Sequence, residues 1–293
     1  MTNNDNLNKY AYVTVMYGNN IYLTGALVLG HTLLKTNPFC DRVILVTPDV
    51  SPEYRSYVGR FYNKVISIEY TQVSNEIFSD QNTRFRDVFT KLECLDLIQY
   101  DKVILLDLDM IITKNIDHLF QLDAPAACLK RYYVPYGKKI PANMICQNDK
   151  LVKLVKLVGS INAGLMLLKP DKAEWSDIKT DINKDTQLAK YKYPEQDYLS
   201  LRYCGKWTSI TFNYNYQFGL TFRVKKYRYR LDDIYVIHYS SSYKPWSDLL
   251  PNRTISPDES EFKTVHKKYY DLWHNTYDHI KSKFADDGIT LPY

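Results

Sequence analysis

Several features are missing from this sequence, and each absence removes a class of protein. No apolar run approaches the roughly 20 residues that cross a bilayer. The polar, asparagine-rich start from Met1 to Lys9 has no basic segment followed by an apolar one, so no secretory signal is expected. The five cysteines, Cys40, Cys94, Cys128, Cys146 and Cys204, are odd in number and form no CxxC pair. That pattern speaks for free thiols in a reducing compartment, and a soluble, cytoplasmic protein is the expectation. There is no internal repeat, no low-complexity segment, and no glycine-rich phosphate loop of the kind a nucleotidyltransferase or phosphatase would need. Positive charge is in small excess, 38 Lys and Arg against 33 Asp and Glu, a formal +5. It is too dilute for a nucleic-acid surface but suits an anionic small ligand.

What is present suffices for a folded core: hydrophobic residues are 45% and charged residues 24% of the 293, as in ordinary soluble proteins. That length fits one α/β domain with an elaborated C-terminal half. The expected division is a main domain over residues 1–250 and a helical extension over 251–293 packed on it. Tyrosine is the compositional outlier, at 27. Its amphipathic ring suits a cleft that grips a flat, hydroxylated ligand, although ordinary packing accounts for most such residues.

Short apolar runs alternate with helical patterns from the start. Residues 11–16, 42–47 and 64–68 read as strands, with helices over 21–34 and 52–61 between them, which is a βαβαβ beginning. Gly25 and Gly30 inside the first helix predict close approach to the sheet or a ligand. A helix over 90–98 is expected to feed a strand at 102–106, apolar on both faces as at the centre of a parallel sheet. Residues 130–156 form a basic, irregular excursion, followed through 151–158 by an amphipathic run. The buried strand 161–168 then resumes, and Pro170 ends it. Near the C-terminus Ser256, Pro257 and Glu259 carry a capping-box signal. Phe262, Val265, Tyr269, Leu272, Trp273, Ile280 and Phe284 form one apolar stripe behind it.

The apolar strand 102–106 runs into Asp107-Leu108-Asp109. Strand ends are where ligands bind in open α/β sheets, and in an extended strand residues two apart share a face. Both carboxylates can therefore converge on one cation, and hard oxygen ligands suit Mn²⁺ or Mg²⁺ bridging to a diphosphate. Taken alone, the pair reads equally well as two solvated turn carboxylates.

Other segments accompany it in order: Gly25 to Gly30 in the first helix, Arg84 to Leu92, Asn115 to Phe120, Asn162-Ala163-Gly164, Glu195-Gln196-Asp197, and His238 followed by Lys244-Pro245-Trp246. With this ordered set the chain resembles the glycogenin-like retaining glycosyltransferases of family 8. The resemblance implies a GT-A type fold, a Rossmann-like nucleotide-sugar-binding sheet with flanking helices. It implies Asp107, Asp109 and His238 as metal ligands, and a UDP-sugar, glucose first, as donor. Val15, Tyr17 and Tyr22 would line the base and ribose pocket, with the backbone of Leu108 on the ribose. Arg84, Lys91, Ser241 and Lys244 would hold phosphate or sugar hydroxyls, and Asn162, Ala163 and Gln196 would face the transferred sugar. Glu195, Gln196 and Lys91 are the implied catalytic set.

The chain departs from the family pattern at three places. One extra residue lies between Val15 and Tyr22, Ala163 replaces the commoner serine, and Glu195 stands where an aspartate is usual. The added methylene moves that carboxylate by about 1.5 Å, which favours an electrostatic role. The departures at Ala163 and Glu195 motivate a competing reading, a nucleotide-sugar-binding protein of the same fold without catalysis. His238, on the apolar strand 234–239, would by itself read as a satisfied core histidine, and Lys91 as a solvated helix position. The cluster Arg223, Lys225, Lys226, Arg228 and Arg230 reads as a charged edge strand or as an acceptor surface. The acceptor, protein or glycan, is not named by the sequence. Tyr214 and Tyr216 lie in the region where a self-glycosylated tyrosine would fall, but the surrounding pattern does not match. The family suggests a homodimer.

Overall fold

The computed structural model describes residues 9–18, 20–73, 86–130, 132–149, 154–184, 191–218, 229–251 and 253–293. In chain order the strands are β1 (Tyr10–Met16), β2 (Asp41–Val46), β3 (Lys64–Ser67), β4 (Lys102–Leu106), β5 (Met110–Ile112), β6 (Ala126–Leu129), β7 (Cys146–Asp149), β8 (Leu154–Leu157), β9 (Ile161–Leu168), β10 (Thr208–Ser209) and β11 (Val236–His238). The α-helices are α1 (Tyr22–Lys35), α2 (Pro52–Val58), α3 (Lys172–Lys184), α4 (Pro194–Arg202), α5 (Pro257–Val265) and α6 (Lys267–Asp286).

A seven-stranded sheet of order β10-β6-β9-β4-β1-β2-β3 forms the centre. Strands β3, β2, β1 and β4 run parallel, and β9 lies antiparallel between β4 and β6. This makes a mixed α/β fold of the GT-A type, mostly parallel and flanked by helices. The parallel sheet expected around β4 is therefore parallel on one side only. Its apolar character on both faces has another cause, since alternate residues feed two cores. Ile104 and Leu106 join Tyr12 and Met16 under α1 and α6, while Val103 and Leu105 join Val13 and Val15 under the 3₁₀ segment Val88–Asp96 and α3.

Helix α1 is buried continuously from Leu23 to Leu33, because it is wedged between the sheet, β5 and α6. Gly30 gives close approach not to the sheet or a ligand, as expected, but to the segment after α2: a Cβ there would stand 2.6 Å from the Tyr62 ring and 2.9 Å from Phe61 Cβ. The expected helix over 90–98 is instead a 3₁₀ segment, Val88–Asp96. It is tied down by Val73 N–H on Arg86 O and Thr71 N–H on the Thr90 hydroxyl. Residues 154–157 of the expected amphipathic run form β8, paired antiparallel with β7, and 151–153 lie outside the described residues.

The C-terminal stripe is not one helix. Ser256 and Glu259 form the expected capping box, but α5 ends at His266 and α6 begins beside it. The break seats the His266 ring against Phe218 and Phe262 and leaves Val265 exposed, while Tyr270 and Tyr277 replace it in the buried face. Among the described residues no helix is long and apolar enough to cross a membrane.

Candidate active site

Strand β4 ends at Leu106 and β5 begins at Met110, so Asp107-Leu108-Asp109 is a bend between two strands. The carboxylates converge from that bend and not, as expected, from one face of an extended strand. Asp107 N–H reaches Gly164 O at 2.8 Å, which carries the β4–β9 ladder one step further. Strand β11 pairs antiparallel with β5 in a register that sets His238 opposite Met110, and Tyr239 N–H donates to Asp109 O at 2.8 Å. This pairing delivers the imidazole: His238 Nε2 lies 3.3 Å from Asp109 Oδ1. Ligand atoms of Asp107, Asp109 and His238 all lie within 4.8 Å of one another.

Gly164 leaves the space that His238 needs. A Cβ on it would stand 2.4 Å from His238 Cε1 and 2.9 Å from Met110 Cε, which real contacts do not tolerate. Gly25 has the matching role across the cleft, where a Cβ would meet Trp246 at 2.8 Å and Leu108 O at 2.9 Å. The two glycines of the sequence motifs thus admit an imidazole and a backbone carbonyl.

Two lysines neutralise the carboxylates. Burial opposes ionisation of Asp109, but Lys244 and His238 outweigh it and hold its carboxyl well below the usual range. Lys244 Nζ lies 2.5 Å from Asp109 Oδ2 and also donates to Tyr239 O. Lys91 is buried, not solvated: its Nζ sits 3.0 Å from Asp107 Oδ1, 3.4 Å from Glu195 Oε1 and 3.3 Å from Ala163 O. Burial disfavours its charge, yet Asp107 and Glu195 overcome that and keep the ammonium above its ordinary range.

The site opens into a cleft of about 680 Å³. Val15, Tyr17, Tyr22, Leu108, Trp246, Asn162, Ala163, Glu195 and Gln196 are among the residues that line it. Pro194 in the first turn and the Asp197 carboxylate on Tyr193 N–H start α4, which places Glu195 and Gln196 at the helix N-terminus. Gln196 Oε1 accepts from Ala163 N–H at 3.4 Å. Asn162 gives Nδ2–H to Gln217 and takes Gly164 N–H on Oδ1, so one amide hydrogen is left for a ligand. The buried Gln217 Nε2 has no partner among the described residues.

Of the residues picked from the sequence, Arg84 lies outside the described residues, as do Arg223, Lys225, Lys226 and Arg228. Ser241 does not line the cleft: its hydroxyl donates to Tyr243 O, and Ser240 faces the cleft in its place. Tyr214 and Tyr216 are both buried in the aromatic core. Sequence reasoning passed over Asn215, Gln217, Lys130, Tyr193 and Asp87. Asn215 and Gln217 sit in a run whose chemistry becomes visible only beside β11.

Two carboxylates and one imidazole nitrogen thus meet at the C-terminal end of the central strand β4, with buried Lys91 and half-buried Lys244 beside them, a donor set that suits a hard divalent cation. Residues 13–249 match the family model described as Glycosyl transferase family 8. The chain is 66% identical over 287 residues to "Uncharacterized protein R707" of Acanthamoeba polyphaga mimivirus, covering 98% of this chain and 100% of that protein. It is 26% identical over 279 residues to galactinol synthase 1 of Solanum lycopersicum, covering 91% and 82%. Among solved structures, the galactosyltransferase LgtC with donor and acceptor sugar analogs shares the fold at TM-score 0.56 and 18% identity, covering 92% of this chain and 95% of that one. The glycosyltransferase GlyE of Streptococcus pneumoniae shares it at TM-score 0.59 and 18% identity, covering 97% and 65%. The fold and family define a retaining glycosyltransferase, which takes a nucleotide-sugar donor and an acceptor. The chain belongs to glycosyl transferase family 8.

Proposed function

We propose that this chain is a metal-dependent hexosyltransferase that moves a hexose from a UDP-sugar to a protein or glycan acceptor. The observation that carries the reading is the convergence of Asp107, Asp109 and His238 within 4.8 Å, with Lys244 beside them. These three side chains would hold Mn²⁺ or Mg²⁺, which would supply Lewis-acid charge to the donor's diphosphate. Val15, Tyr17 and Tyr22 line the cleft and would border base and ribose, with the backbone of Leu108 on the ribose. Residues 1–250 act as the catalytic domain in this reading, with 251–293 as its extension.

In the reaction the bond from the anomeric carbon to the diphosphate breaks and a bond to the acceptor oxygen forms on the same face. The departing phosphate oxygens gain charge, and Lys244 is placed to neutralise it, with Arg84 as its expected helper. The acceptor proton passes to the leaving diphosphate. Lys91 holds the Glu195 carboxylate facing the cleft, where it stabilises positive character at the anomeric carbon. Gln196 and Asn162 orient the sugar hydroxyls.

Glucose is the first donor to test. Galactose is the second, because the similar proteins include a galactosyltransferase and galactinol synthases. The test is UDP release from a panel of UDP-sugars with Mn²⁺ or EDTA, with the protein's own mass followed throughout. Turnover of one donor that EDTA and Asp109→Ala both abolish is the expected result, and a mass gain would add self-glycosylation. Binding of donors without any turnover would replace this reading with that of a non-catalytic nucleotide-sugar-binding protein.

A further inference from the structure

We infer that Asn215 is a positioning residue for the metal centre, its side-chain amide holding the His238 imidazole with the proton on Nδ1 and the Nε2 lone pair directed at the cation. The inference rests on the reading of Asp107, Asp109 and His238 as a cation site.

The argument follows a chain of hydrogen bonds whose donors and acceptors are forced one by one. Gly164 N–H lies 3.0 Å from Asn162 Oδ1, and a backbone N–H can only donate, so that atom is the carbonyl oxygen of the Asn162 amide. The Asn215 side chain meets the same oxygen at 2.8 Å and must therefore turn its NH₂ group toward it. Its own carbonyl oxygen then faces the other way, 2.8 Å from His238 Nδ1. A carbonyl accepts and cannot donate, so Nδ1 carries hydrogen. On the far side of the ring Nε2 points at Asp109, 3.3 Å away. Metal-ligating histidines commonly have the second nitrogen fixed in this way by a partner outside the ligand set.

The backbone makes the arrangement rigid. Tyr216 N–H donates to Val236 O at 2.9 Å and His238 N–H to Tyr216 O at 3.0 Å, which ties residue 215 to β11 in register. Asn215 is fully buried, so no solvent competes for its amide. The same amide joins Asn162 to His238, both of which line the cleft.

The test measures Mn²⁺ binding by the loss of the free-ion electron paramagnetic resonance signal, in the full chain without donor. Asn215→Leu is expected to weaken binding about 10–100-fold. His238→Ala is measured alongside. A ¹⁵N–¹H correlation spectrum of the wild-type histidine rings needs no variant and is expected to show the proton of His238 on Nδ1. An Nδ1 without hydrogen in a neutral ring overturns the inference. Wild-type affinity in Asn215→Leu beside a loss in His238→Ala also overturns it while leaving the metal-site reading intact. Wild-type affinity in both overturns the metal-site reading and this inference with it.

Discussion

The ammonium of Lys244 rests 2.5 Å from Oδ2 of Asp109, on the carboxylate whose other oxygen faces His238. In this arrangement the lysine supplies the positive charge that a divalent cation would bring. The proposed cation would compete with that ammonium for the Asp109 carboxylate, and an ammonium it displaced would be available to the proposed diphosphate. Lys244→Met should therefore bind Mn²⁺ alone severalfold more tightly while losing about 10–100-fold in turnover, since a hydrogen bond to a charged group contributes about 1.5–3 kcal/mol. Titration of Mn²⁺ without nucleotide, beside UDP-release kinetics, checks both signs. Weaker Mn²⁺ binding in the variant would show that the ammonium does not compete.

Lys91 is buried between Asp107 and Glu195. Lys91→Met would leave two carboxylates facing each other without their shared counter-charge. Loss of one partner of a buried pair costs about 3–5 kcal/mol, and the lower end applies because Asp107 keeps 34% of its side chain in contact with water. Chemical denaturation should show a loss of about 3 kcal/mol in EDTA, part of which returns with Mn²⁺. A loss unaffected by Mn²⁺ would separate Lys91 from the metal site.

Gly164 has no room for a methyl group against His238 Cε1. Gly164→Ala is expected to cost about 1–3 kcal/mol from overpacking and to weaken Mn²⁺ binding, because the imidazole must move. Ala163→Ser, at the neighbouring position, should leave both nearly unchanged. A fall in stability without a change in Mn²⁺ affinity would mean that the strain is relieved away from His238.

His31, packed against Phe61 and His279, provides a pH dependence outside the cleft lining. Burial, followed by Lys35, Lys283 and His279, pushes its pKa down to about 4. An unfolded chain takes up that proton near pH 6.5. Between the two values the unfolded state binds a proton that the folded state refuses, so stability falls as pH drops from about 6.5 and levels off below about 4. The expected loss is about 1–3 kcal/mol. Thermal unfolding at pH 7 and pH 5 should show a smaller difference in His31→Gln than in wild type, and equal differences would count against it.

Much of the fold could be read along the chain because it depends on neighbours in sequence. Alternating apolar runs marked β1, β2, β4 and β9 within a residue or so, since a strand buried on both faces has to be apolar throughout. Ser256 and Glu259 marked the start of α5, because a capping box is closed by side chains three residues apart. The Asp107 and Asp109 pair and the glycines at 25 and 164 were visible as motifs, although their reasons were not.

Tertiary structure decided the rest, because the responsible contacts join distant segments. The antiparallel placement of β9, the break at His266 over Phe218, and the burial of Lys91 against Glu195 each depend on a partner far along the chain. The clearest case is the site itself. Residues 107–109 bend out of their strand, and only the pairing of β5 with β11 brings His238 to Asp109 across 129 positions of sequence. Asn215 carries no recognisable signal in its own neighbourhood, since an asparagine orients an imidazole only where folding has buried both and fixed the direction of each amide.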